Sequence, residues 1–212
     1  MHRFLYLAHR RAELDAAAFA RCWREHAALA ATCPEMLREV RGYRQWQVVD
    51  AEGTDVMGMA ETRCVDATAV YRMLECRETR EVLQPDELRF LALPCRRSGI
   101  VADETLLQAQ GAPGAHACLW LMPRGTATPD ALEALVAARV QPLRAAWSAC
   151  VGEAAADLTL GHRDAADDES PFDAVLIARV ESATLAERLT RAWCRVLPAG
   201  ETAWRLERAG RA

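Results

Sequence analysis

Lysine and asparagine are absent from the 212 residues, and all 26 basic side chains are arginine. Without lysine there is no Schiff-base nucleophile, no anchor for pyridoxal phosphate and no phosphate-loop lysine. Without asparagine there is no N-glycosylation acceptor. Both absences, beside abundant alanine, fit the codon usage of a GC-rich bacterial genome. An excess of positive charge is missing too: the formal net charge is −4 and the pI about 5.8. No field therefore draws nucleic acid or an anionic membrane surface, and neither is expected as a partner. Long hydrophobic runs are also lacking. The five-residue apolar run before His9 is too short for a signal peptide, and no stretch approaches a membrane span. A cytoplasmic protein is the expectation.

Several site signatures are missing as well. Neither GxGxxG nor GxSxG occurs, which removes the dinucleotide fingerprint and the nucleophile elbow. The eight cysteines, at 22, 33, 64, 76, 95, 118, 150 and 194, form no CxxC pair. Most lie in apolar helix or strand patterns, where cysteine behaves as a small hydrophobe, so reduced core thiols are expected. His116 and His162 lack metal-ligand spacing to any partner. Asp164, Asp167, Asp168 and Glu169 lack the ordered spacing of a calcium loop and read as a solvated turn. No metal or cofactor is implied.

What is present is enough apolar residue, 51%, to bury a substantial core, and an internal repeat. Arg3-Phe4-Leu5-Tyr6-Leu7-Ala8-His9-Arg10 laid over Ala117-Cys118-Leu119-Trp120-Leu121-Met122-Pro123-Arg124 matches leucine on leucine twice, aromatic on aromatic and arginine on arginine. The offset of 114 also places Leu29 on Leu143 without a gap, and an offset of 116 later brings Ala67-Thr68 onto Ala183-Thr184 and Arg72 onto Arg188.

Each copy has the same element order. Residues 3–9 predict a strand apolar on both faces. Asp15 is a candidate N-cap for a helix carrying Phe19, Cys22, Trp23, His26, Leu29 and Cys33 at helical spacing, closed by Pro34. Val40–Val49 and Val56–Cys64 predict a hairpin turning at Asp50-Ala51-Glu52-Gly53-Thr54. A helix follows Asp66 and breaks near Pro85, and a last strand spans Arg96–Val101. In the second copy a strand at 115–122 precedes a helix opening at Thr128-Pro129-Asp130. Strands at 153–162 and 171–180, a helix at 184–196 and a strand at 202–207 complete it. The expected domains are 1–102 and 115–212, with residues 103–114 as linker. A βαββαβ unit folds as a ferredoxin-like sheet with helices on one face. The fold class predicted is α+β: two ferredoxin-like repeats packed sheet on sheet as an intrachain pseudo-dimeric α/β barrel.

The helix Phe19-Ala20-Arg21-Cys22-Trp23-Arg24-Glu25-His26-Ala27-Ala28-Leu29-Ala30 resembles the FxxxWxxxHxxLA helix of EthD-like proteins of the dimeric α/β-barrel superfamily. Gly58-Met59-Ala60-Glu61 is similar to that family's DGVAE strand, with Met57 at the Asp position, and Asp86-Glu87-Leu88-Arg89-Phe90-Leu91 to its late DExRFL segment. The likeness covers the first hundred residues. In the second half Val140 stands where the family has His, Ile177 where it has Glu, and DExRFL has no equivalent. The resemblance implies a small-molecule site in the first half only. Similar barrels include cofactor-free cyclases, dehydratases, decarboxylases and oxygenases acting on aromatic or polyketide-like compounds. Some bind haem, but nothing in this chain selects for it.

His26 is the candidate general acid–base, since an imidazole near neutral pKa responds to small environmental changes. Glu61 is its expected partner, orienting the ring; the alternative is a structural ion pair with Arg63 or another arginine. By period two, Glu61 shares a strand face with Met57, Met59 and Arg63. Tyr6, His9, Trp23, Tyr43, Trp46 and Met59 are the candidate pocket residues. Arg10 and Arg11 could meet a carboxylate or simply end a strand. Two functions are expected as alternatives. One is a cofactor-independent lyase or cyclase acting on a hydrophobic or aromatic small molecule through an enol-like intermediate. The other is a non-catalytic binding or accessory protein. A homodimer is compatible with either. A pocket between helices and sheet suits a histidine on a helix better than one between sheets.

Overall fold

A computed structural model of the chain describes residues 1–49, 56–92, 97–110, 114–152, 154, 156–199 and 201–209. The predicted hairpin turn at 50–54 and Cys95 lie outside these residues. Two compact units emerge: Met1–Asp103 with Asp164–Glu169 and Arg208–Ala212, and Glu104–Arg163 with Ser170–Glu207.

The first unit contains β1 (His2–His9), α1 (Ala16–Ala30), α2 (Pro34–Leu37), β2 (Val40–Val49), β3 (Val56–Cys64), α3 (Ala67–Glu75), a π-helical stretch Thr79–Leu83, α4 (Gln84–Glu87) and the start of β4 (Arg97–Gln110). Its antiparallel sheet has β1 between β4 and β3, with β2 beyond β3. Asp15 accepts a hydrogen bond from the Ala18 amide at 2.6 Å, and Asp66 one from Ala69 at 2.7 Å, so both main helices start on side-chain caps. Phe4, Tyr6, Ala8, Ala60 and Cys64 from the sheet pack with Phe19, Trp23, Val70, Met73 and Phe90 in one core cluster.

Gly58 lets that core close. A Cβ there would meet the Trp23 indole at 2.8 Å, so only glycine allows the helix to approach the strand this near. Trp23 is 1% exposed, and its indole N–H donates to the Trp46 carbonyl at 3.1 Å, as a buried tryptophan requires.

The second unit repeats the order with β5 (His116–Pro123), α5 (Pro129–Val151), β6 (Ala156–Arg163), β7 (Phe172–Val180), α6 (Ala183–Val196) and β8 (Ala203–Arg208). Here β5 lies between β8 and β7, with β6 outermost. Val136, Val140, Leu143, Trp147 and Val151 fall on one face of α5, at helical spacing, and join Leu185, Leu189 and Trp193 of α6 in a second core.

Four expectations need correcting. Pro34 opens α2 rather than closing the first helix, because its fixed φ and missing N–H suit the first helical position. The helix after Asp66 ends at Glu75, well before Pro85, because the backbone turns extended at Cys76; a separate π-helical stretch follows at Thr79–Leu83. Residues 103–110, expected in a linker, belong to β4; Glu104, Thr105 and Leu106 are exposed, so no burial pattern betrays the strand. The acidic turn is docked, not solvated. Asp167 is 8% exposed and accepts from the Ile100 amide at 2.7 Å, while Asp164 contacts His2 at 2.9 Å.

All seven described cysteines are free thiols, and Cys33, Cys64 and Cys118 are buried; Cys194 is exposed, unlike a core thiol. No helix among the described residues is long and apolar enough to cross a membrane.

Candidate functional site

A cavity of about 240 Å³ opens in the first unit between the helices and the sheet. Its position follows from strand alternation. Phe4 and Tyr6 of β1, Ala60 and Thr62 of β3, and Val40 and Tyr43 of β2 point to the helix side. The facing wall comes from Trp23, His26, Ala27 and Ala30 of α1, Met36 and Leu37 of α2, Met73 and Leu74 of α3, and Thr79 and Leu83 of the π-helical stretch. The π-helix is itself a local departure of the kind that clusters at functional sites.

His26 is 7% exposed, stacked on Trp23 with ring centroids 6.2 Å apart and the planes 6° from parallel, and edged by Phe90 at 5.5 Å. Its Nδ1 lies 2.9 Å from Asp86 Oδ2, and its Nε2 lies 3.9 Å from Glu87 Oε1, which also lines the cavity. Burial holds the imidazole below its ordinary pKa; Asp86 opposes this, and Arg89 adds to the lowering. The ring is therefore neutral near pH 7. An Nδ1–H donated to Asp86 then leaves the Nε2 lone pair on the Glu87 side. Asp86 is steadied in turn by Arg89, whose Nε stands 2.7 Å from Oδ1. A buried neutral imidazole held by a carboxylate can accept and return a proton at a fixed place.

Of the eight side chains selected from the sequence, His26, Trp23, Tyr6 and Tyr43 line this cavity; Glu61, His9, Trp46 and Met59 do not. The expected His26–Glu61 pairing is absent. Glu61 stands on the face of β3 away from the helices and is 1% exposed. Arg3, Arg63 and Arg44 lie 3.5, 3.7 and 3.8 Å from its Oε1, and the Trp46 indole donates to its Oε2 at 3.4 Å. This is the arginine pairing weighed as the alternative. His9 is 5% exposed beyond a bulge at Ala8, with its carbonyl accepting from Ala92 at 2.8 Å. Met59, 0% exposed, and Trp46 share the Glu61 face.

Asp86 and Glu87 were missed as partners of His26. They were visible only as the acidic start of the DExRFL-like segment. Among the described residues no group of three or more His, Cys, Asp and Glu is arranged to hold a metal ion.

No family model matches the sequence, and no curated protein matches it. Solved structures match in fold. A proposed chlorite dismutase aligns over 99% of this chain and 96% of its own, with a TM-score of 0.54 at 11% identity. A proposed monooxygenase from Fusobacterium nucleatum aligns over 99% and 92%, with a TM-score of 0.53 at 9% identity. A chlorite dismutase variant from Candidatus Nitrospira defluvii, in complex with cyanide, aligns over 98% and 91%, with a TM-score of 0.52 at 10% identity. The likeness is one of fold. The chain is an α+β protein of the dimeric α/β-barrel class, as its two βαββαβ halves led us to expect.

Proposed function

We propose that this chain converts a small hydrophobic molecule, carbonyl-bearing or aromatic, by proton transfer in the first-unit cavity. His26 is the general acid–base, and Asp86 is its positioning residue. The observation that carries this reading is the 2.9 Å contact from Asp86 to Nδ1 of a buried histidine whose ring edges a largely apolar cavity. A neutral Nε2 removes a proton from carbon next to a carbonyl, the C–H pair becomes the enol double bond, and the imidazolium returns a proton to carbon or oxygen. Elimination and aldol-type cyclisation both pass through such an enol. The EthD-like helix and DExRFL-like segment support the assignment, since they supply His26, Asp86 and Glu87. Fold neighbours described as a monooxygenase and chlorite dismutases show that small-molecule chemistry is proposed or performed on this scaffold, an argument by analogy.

The test is solvent-deuterium incorporation into phenylacetone, an aromatic enolisable ketone, followed by proton NMR in D₂O. The wild-type chain is expected to exceed His26→Gln by roughly 10²–10⁴-fold, the usual worth of a positioned acid–base group. A difference below about tenfold, with both proteins folded, overturns the role of His26. Binding of the ketone without exchange would favour the non-catalytic alternative.

A further inference from the structure

We propose that the hydroxyls of Tyr43 and Thr62 donate to the ligand's carbonyl oxygen and hold it on the sheet wall of the cavity, across from His26. This deepens the reading of the cavity as a proton-transfer site and rests on it. Tyr43 of β2 and Thr62 of β3 are direct cross-strand partners, and both line the cavity. Such partners project to one face of the sheet from Cβ atoms about 4.5–5.5 Å apart, which sets two hydroxyls side by side on one wall. Thr62 is 6% exposed, yet its hydroxyl bonds to no other group among the described residues. Buried hydroxyls as a rule have a partner, and the cavity that Thr62 lines is where one can enter.

Tyr43 is 40% exposed over its whole surface, while burial around its phenol end raises the hydroxyl above its ordinary pKa and a side-chain hydrogen bond with Gln45 opposes the rise. A bond that makes a phenol more acidic is one donated to its oxygen. The Tyr43 O–H proton is then left to give. Gln45 is itself anchored, its Nε2 donating to the Trp23 carbonyl at 2.7 Å, and Trp23 stacks on His26. The donor on the sheet and the base on α1 are thus tied to one tryptophan. The Thr79 hydroxyl is engaged with the Met73 carbonyl at 2.6 Å, and Tyr6 has a partner within the protein. Phe4, Met36 and Leu83 receive an apolar body, and about 240 Å³ suits a molecule of one or two rings. When His26 takes the proton from carbon, the C–H pair becomes the enol double bond and the carbonyl π pair moves onto oxygen. Donors already aimed at that oxygen hold the charge as it develops, and so favour the enolate over the ketone. The ligand class is a neutral ketone on an apolar body.

Difference infrared spectroscopy of carbonyl-labelled phenylacetone bound to the intact chain tests this. Donated hydrogen bonds weaken the C=O bond, so the bound band is expected at lower wavenumber than that of the ketone in cyclohexane. The double variant Tyr43→Phe, Thr62→Val is expected to return the band toward the cyclohexane position and to lower deuterium exchange by about 10²–10³-fold. A double variant that leaves the band in place overturns the proposal. So does a wild-type band at the cyclohexane position, which needs no variant to fold. A single variant without a shift overturns the part given to that hydroxyl. A lowered band without any wild-type exchange supports the two donors and removes His26 as the base. The absence of a bound band removes the cavity as the ligand site, and this proposal with it.

Discussion

In the second half Trp147 and Trp193 are 1% and 0% exposed and share one core with Val140. At the register that aligns Leu29 with Leu143, the first half has Cys33 opposite Trp147 and His26 opposite Val140. The backbone differs in step with the side chains. α5 runs unbroken from Pro129 to Val151, and the Trp193 indole of α6 donates to the Leu143 carbonyl at 3.0 Å. α1 stops at Ala30, and the chain turns through Cys33 into the short α2. Small residues, Ala27, Ala30 and Ala31, then border the cavity. One plan thus puts Val140 and Trp147 in the core of one half and leaves a cavity beside His26 in the other, while the second half keeps a more open cleft bordered by Val136, Val140, Leu160 and His162.

The sharpest way to break this contrast is to write the second half's residue into the first. His26→Val is expected to lower phenylacetone exchange by about 10²–10⁴-fold, equivalent to roughly 3–5 kcal/mol of barrier. Stability should hold or rise, because Asp86 keeps Arg89 as its partner. Equal exchange by the variant would remove the functional side of the asymmetry. The reverse probe, Trp147→Ala, opens a cavity in the second core. It is expected to cost about 3–5 kcal/mol in urea unfolding, as for other buried large-to-small changes. A loss under about 1 kcal/mol would show that Trp147 is not filling the space in the way its burial implies.

Much of this asymmetry was legible beforehand. Element order and the helix face carrying Trp23 and His26 follow from periodicity, the start of the first helix from Asp15 as its cap, and Val140 opposite His26 from offset alone. The partner of His26 was not legible, for a physical reason. Period two put Met59 and Glu61 on one face, whereas Met57, at the register shift opposite Ala8 and His9, packs in the helix-side core; both faces of β3 are apolar, so alternation could not say which one the helices cover. Gly58 held the clue, since its missing side chain makes room for Trp23. Asp86 lies on a four-residue helix after a π-helical stretch, where neither helical nor strand periodicity applies. Asp167 docks on β4 through a contact 67 residues distant in sequence, which no local pattern encodes.

The misassigned Glu61 supplies the next test. With Arg3, Arg44 and Arg63 around it, Glu61→Gln is expected to cost about 3 kcal/mol in urea unfolding, because it leaves buried positive charge without its central anion. Exchange of phenylacetone per folded molecule should change by no more than a few-fold. A loss of exchange as large as that of His26→Val would restore Glu61 to the site and undo the division between the two sheet faces.

The smallest effect is the pH dependence that burial of His26 imposes. Its folded pKa lies below the ordinary histidine value of 6.5. Between the two values the unfolded chain therefore binds more protons than the folded one. Stability consequently rises with pH across that window and is complete above about 6.5; as pH falls through the window it is lost, by at most about 1.4 kcal/mol per pH unit for one proton. Urea unfolding of wild type and His26→Val at a series of pH values isolates the contribution, since valine cannot titrate and its difference curve should carry the slope. The acid limb of phenylacetone exchange should likewise fall below pH 6.5. Asp86→Asn removes the contact that opposes burial, so that limb should move to still lower pH while the plateau rate drops with the loss of the orienting hydrogen bond. A limb that moves upward instead would mean that Asp86 does not stabilise the protonated ring, and the two halves would then differ in packing alone.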